Sequence, residues 1–97
     1  MRLIYHPDAE AELIEAAQVY EARVPQLGAQ FLAAADKALS VVLQAPDRWR
    51  IIDADVRRYA MGLFPYFIYY RILPDHLRIL AFAHHRRHPD YWHGRQS

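Results

Sequence analysis

The sequence has 97 residues, 54% hydrophobic and 24% charged, with a net charge of +1 and no cysteine. That length holds one modest core and not two, and the lack of cysteine excludes a disulfide scaffold, a thiolate zinc site and a thiol nucleophile. No apolar run approaches the roughly 18–20 residues that cross a bilayer. The opening segment, Met1 to Pro7, has no signal-peptide core, so the expectation is a single domain over residues 1–97 in the cytoplasm.

The net charge hides an asymmetry. Residues 1–48 carry four basic side chains against seven acidic ones, a balance of −3. Residues 49–97 carry eight arginines against four aspartates, a balance of +4, and five of the six histidines. Lys37 is the only lysine. Arginine is the better fork for phosphate and carboxylate. The second half therefore reads as the side that meets an anionic partner.

In chain order, Arg2 to Tyr5 is a short β-type run closed by His6-Pro7, a strand. Pro7 suits the first turn of a helix, with Asp8 and Glu10 at its positive end. Ala9, Leu13, Ala16, Ala17 and Tyr20 recur at helical spacing and predict an amphipathic helix from Pro7 to Arg23. Val24-Pro25 breaks it. A second helix is predicted from Pro25 to Gln44, with Gly28, Phe31, Leu32, Ala35, Leu39, Val42 and Leu43 as its apolar stripe and Ala45-Pro46 as its end. A joint this tight makes an antiparallel helical hairpin.

Beyond Pro46 the period changes. Val56 to Met61, Tyr66 to Leu73 and Leu77 to Ala83 read as strands, the last two joined at Pro74-Asp75. The tail, His84 to Arg95, is expected to form a turn or short helix after Pro89. The order is β-α-α-β-β-β, an α+β fold with the helical hairpin on one face of a small, mostly antiparallel sheet and Arg2–Tyr5 as an added edge strand. Leu13, Ala17, Phe31, Ala35, Leu39, Ile68, Tyr70, Ile79 and Ala81 are the predicted core.

Two clusters hold residues suited to chemistry. In Val56-Arg57-Arg58-Tyr59 the two arginines point to opposite faces of a strand, so one of them can share a site with Arg71. Each also fits a surface charge paired with Asp53 or Asp55. The second cluster runs from His84 to His93. Histidine passes protons near neutrality, arginine stabilises phosphate charge and a tyrosine hydroxyl donates. Such a set suits metal-independent RNA cleavage by 2′-hydroxyl attack. On residue types alone it better suits a basic tail clamped onto the sheet by Tyr91 and Trp92. His84 and His88 have helical metal-ligand spacing, but Pro89 and the preceding strand argue against a helix there, so no metal is expected. With three glycines and two serines the chain offers no phosphate loop and no Ser-His-Asp pattern. Tyr66, Phe67, Tyr69, Tyr70 and Phe82 could stack on bases, and as aromatics of a central hairpin they also fit the core.

Taken in order, His6-Pro7-Asp8-Ala9, Leu27-Gly28-Ala29-Gln30-Phe31-Leu32, Ala45-Pro46, Val56-Arg57-Arg58-Tyr59, Phe64 to Ile72 and Ala83 to Trp92 with Arg95 behind them resemble the RelE/ParE superfamily of type II toxin–antitoxin toxins, ParE-like plasmid stabilisation proteins included. The resemblance covers nearly the whole chain. It implies a growth-inhibiting cytoplasmic toxin without a cofactor, held inactive by a co-encoded antitoxin. RelE-like members cut messenger RNA on the ribosome, and ParE-like members inhibit DNA gyrase. For a nuclease, the resemblance and the residue types together nominate His84, His85, Arg71, Arg86 and Tyr91 as catalytic. Arg57, Arg58, Arg87, Trp92 and Arg95 are the candidate binding residues. The lysines of several RNA-cutting members are absent and Asp53 and Asp55 stand in their place, which favours the gyrase inhibitor. The expected site is a basic surface at the sheet's C-terminal edge, without a tightly ordered acid–base pair. The antitoxin is expected to bury apolar surface and to pair with arginines of the second half.

Overall fold

The structure is a computed structural model that describes residues 1–96. β1 (Arg2–Tyr5) leads into α1 (Pro7–Arg23). The His6 ring caps that helix, its Nδ1 accepting from the Asp8 N–H at 3.0 Å, and Pro7 takes the first turn, where its missing donor costs nothing. α2 (Leu27–Gln44) starts two residues later than the sequence predicts. Val24 is extended and Gln26 is left-handed at φ 74°, so the helix cannot begin at Pro25. The Glu21 carboxylate at the end of α1 caps α2, accepting from the N–H groups of Gln26 (2.9 Å) and Gly28 (3.0 Å). A Cβ at Gly28 would fall 2.5 Å from the Ala17 carbonyl. Glycine at that position is what allows the two helices to touch.

A 3₁₀ turn (Pro46–Arg48) then leads to β2 (Ile51–Asp53), β3 (Val56–Ala60), β4 (Tyr66–Ile72) and β5 (His76–His84). The sheet order is β1-β5-β4-β3-β2, with β1 parallel to β5 and every other pair antiparallel. The α+β fold with a helical hairpin on one sheet face is as expected. β2 is an addition: three residues carry no measurable period, and the strand exists because a turn at Ala54 (φ 49°) folds it back on β3.

The helices cover one face through Phe31, Ala35, Leu39 and Val42 against Ile68, Tyr70, Leu77, Ile79 and Phe82. Leu13 is half-buried at the margin of this core. The register slips between Tyr70↔Ile79 and Tyr69↔Ala81, so Leu80 is a bulge. Ala81 is therefore buried on the second face, with Val56, Tyr69, Leu80, Ala83 and Trp92, and not beneath the helices.

Candidate functional site: the C-terminal strap and the second sheet face

β1 stops pairing early. Its last bond is the His6 N–H to the Ile79 carbonyl at 2.8 Å, after which the chain turns into α1. Beyond that point the edge of β5 has backbone groups with no strand to meet, and buried backbone groups need partners. The tail and α1 supply them. Arg95 Nη1 donates to the Leu80 carbonyl at 3.1 Å, and Glu12 Oε1 accepts from the Phe82 N–H at 3.2 Å. The same Glu12 oxygen accepts from Arg95 Nη1 at 3.0 Å, while Oε2 accepts from the Tyr91 hydroxyl at 2.8 Å. Glu12 is thus a hub that ties the tail to the bulge and to α1.

The electrostatics follow from this hub. Burial pushes the Tyr91 phenol well above its ordinary range, and its bond to the Glu12 carboxylate pushes it further. Burial opposes the charge on Arg95, but the bond to Glu12 and its charge outweigh that, so the guanidinium is held more firmly than usual. Trp92 completes the strap. It is 1% exposed, its ring lies 5.4 Å from that of Tyr69, and its Nε1 donates to the Pro89 carbonyl at 2.6 Å. Arg87 lies over the Tyr91 ring at 4.0 Å, and His93 Nε2 sits 2.7 Å from Asp53 Oδ2.

The other candidates are dispersed. His84 lies on the helix face beside Tyr66, ring centroids 5.4 Å apart, and its Nδ1 accepts from the Arg86 N–H at 3.1 Å. His85 is on the opposite face, stacked on Phe67 at 4.2 Å, with the Arg58 guanidinium 4.2 Å from the same ring. Arg71 is five positions along β4 from the partner of His84, about 17 Å at the usual rise per residue. There Asp55 accepts from Arg71 Nε at 3.0 and 3.1 Å and from Nη2 at 2.9 Å, and the Gln96 carbonyl also accepts from this arginine. The Arg71 bond holds the Asp55 carboxyl below its ordinary range. Arg57 points toward the helices, donating to the carbonyls of Asp47 (3.0 Å) and Trp49 (2.7 Å). Arg86 is exposed. Among the described residues no group of three or more His, Asp or Glu side chains is placed to hold a metal.

Two residues in this region escape the sequence reading. Glu12 looks like an ordinary member of the polar face of α1. Its signal is spacing, three after Ala9 and four before Ala16, which puts a carboxylate on the margin of the buried stripe. Arg78 is a charge inside a strand whose neighbours Leu77 and Ile79 are fully buried.

Neither helix is long and apolar enough to cross a membrane. Eight solved chains match this one. One, from the chromosomal ParDE toxin–antitoxin system from P. aeruginosa, aligns with a TM-score of 0.77 at 17% identity, over 87% of this chain and 95% of that one. At that identity the likeness is one of fold. No curated protein matches the sequence. The family model described as the ParE toxin of the type II toxin–antitoxin system parDE matches residues 3–89, from the first strand to the proline at which the strap turns. By that match the chain belongs to the ParE toxin family of type II toxin–antitoxin systems.

Proposed function

We propose that this toxin inhibits DNA gyrase by occupying a protein surface, without chemistry of its own, and that a co-encoded antitoxin neutralises it. The observation that carries the reading is the dispersal of the groups a nuclease needs. Cleavage by 2′-hydroxyl attack requires a proton carrier and a phosphate-binding cation within reach of one phosphate. His84 and His85 lie on opposite faces, Arg71 is about 17 Å from His84 and paired with Asp55, and Tyr91 donates to Glu12. A surface inhibitor needs no convergence. It needs a rigid, charged face, and the strap with Arg86 and Arg87 exposed on it supplies one.

Family membership and the ParDE likeness support the antitoxin as a partner. The test adds purified toxin to gyrase supercoiling reactions and, separately, to translating ribosomes. The expected result is blocked supercoiling with intact message. Codon-specific cuts in ribosome-bound message, lost in His85→Ala or Arg86→Ala, would replace the proposal with a RelE-like nuclease.

A further inference from the structure

The strap covers the half of the second sheet face that lies toward His84 and ends on Arg71 through the Gln96 carbonyl. The other half lies toward the β4–β5 turn. Because Leu77 and Ile79 are fully buried beneath the helices, strand alternation places His76 and Arg78 on the second face. The registers Arg2↔His76, Ile4↔Arg78 and Arg71↔Arg78 gather four basic side chains there. Three of them have an aspartate. Asp55 takes Arg71 at 2.9 Å, and Asp75 takes both Arg2 at 3.5 Å and His76 at 2.8 Å. Arg78 has none. Among the described residues it forms no ion pair, and its Nε is buried without a hydrogen-bond partner. It also stands directly across from Arg71, and like charges so placed repel. A half-buried arginine in this position bears a desolvation cost that nothing among the described residues offsets. The patch is one carboxylate short.

The geometry points to Arg78 as the acceptor of one carboxylate, from an acidic side chain of a protein partner that docks on this open half of the second face. That the partner is the antitoxin rests on the toxin reading above. A single carboxylate fits better than a nucleic-acid strand. Asp55 and Asp75 flank the site, so a chain with a phosphate at every step meets two fixed negative charges, whereas one carboxylate completes the pairing. Ile4, half-buried beside Arg78, gives the methylenes of such a side chain an apolar neighbour.

A contact left open for a partner and a contact that holds the fold respond oppositely to substitution. Arg78→Met keeps the apolar stem and removes the unpaired charge. It should raise the melting temperature of the free toxin, while Arg71→Met, which strands Asp55, should lower it. In calorimetric titration with the product of the adjacent reading frame, Arg78→Met should bind at least about tenfold more weakly than wild type, with Arg78→Lys in between. In the free toxin, the Arg78 Nε–H resonance should shift on titration with sodium acetate. If the adjacent product does not bind wild type, the toxin reading is at fault, and the acetate titration still decides the site. Unchanged partner affinity in Arg78→Met, a lowered melting temperature, an acetate-blind resonance, or a single-stranded oligonucleotide that binds through Arg78 would each overturn the proposal.

Discussion

The two faces of the sheet are built by different means. The helix face is closed by periodic apolar stripes, and its core residues sit on regular elements at helical or alternating spacing. The second face is closed by an irregular tail, held by one buried indole and by a carboxylate, a phenol and a guanidinium meeting at a bulge. The first mode resists change because it is spread over many contacts. The second concentrates its stability in a few polar groups and leaves the rest of the face free to be a surface.

The sharpest way to break the comparison is to open each core in turn. Phe31→Ala removes a fully buried ring from the helix face and should destabilise by about 4 kcal/mol in urea unfolding. Trp92→Ala should cost about 3 kcal/mol and loosen the strap while the helical signal in circular dichroism survives at low temperature. Equal, fully cooperative loss of every probe in Trp92→Ala would show that the two faces are one unit.

Next in size is the hub. Glu12→Ala leaves the Tyr91 hydroxyl, the Phe82 N–H and Arg95 without their acceptor, which should cost about 2–3 kcal/mol. Because Arg95 then keeps only the Leu80 carbonyl and a longer ion pair with Asp8 at 3.8 Å, Arg95→Ala added to Glu12→Ala should cost less than it does in wild type. Full additivity would refute the hub.

The pH dependence adds a signed test. Burial raises Tyr70 from 10.0 to about 12, and burial with Glu12 raises Tyr91 further. A folded pKa above the unfolded one contributes stability that is complete below pH 10 and is lost as pH rises through the folded value. Stability should therefore fall steadily above pH 10, and Tyr91→Phe should flatten part of that fall. A pH-independent midpoint between pH 10 and 12 would contradict it. The smallest effect belongs to the exposed pair. Arg71 lowers the Asp55 pKa, so its contribution is present above the ordinary carboxylate range and is lost in acid. Asp55 is 56% exposed, so Asp55→Asn should cost under about 1 kcal/mol, a change readable in the thermal midpoint.

The asymmetry between the faces also governs what the sequence reveals. Both helices and four of the five strands are legible because apolar and β-type patterning is a local signal, and Pro7, Val24-Pro25 and Ala45-Pro46 mark the helix ends. β2 is not legible, since three residues at an edge are defined by their partner and not by their own pattern. The strap is half legible. Tyr91 and Trp92 announce a clamp, but its anchor, Glu12, lies 79 positions away in the chain, and no spacing rule connects them. The bulge that creates the need for that anchor is equally silent, because Leu80 and Ala81 read as ordinary strand residues. The dispersal of His84, His85 and Arg71 follows from register, which is a property of the paired strands.

The measurement that bears most directly on the account is gyrase supercoiling in the presence of a His84→Ala/His85→Ala toxin. His84 accepts from the Arg86 N–H and His85 stacks on Phe67, but neither joins the Glu12 hub or the Trp92 contact that hold the strap, so the strap is kept while two proton carriers are gone. A toxin that works as a surface should block supercoiling at a concentration within about twofold of wild type, because proton-transfer groups typically contribute a hundredfold or more where they are used. Inhibition lost by that factor, with the variant still folded, would contradict it.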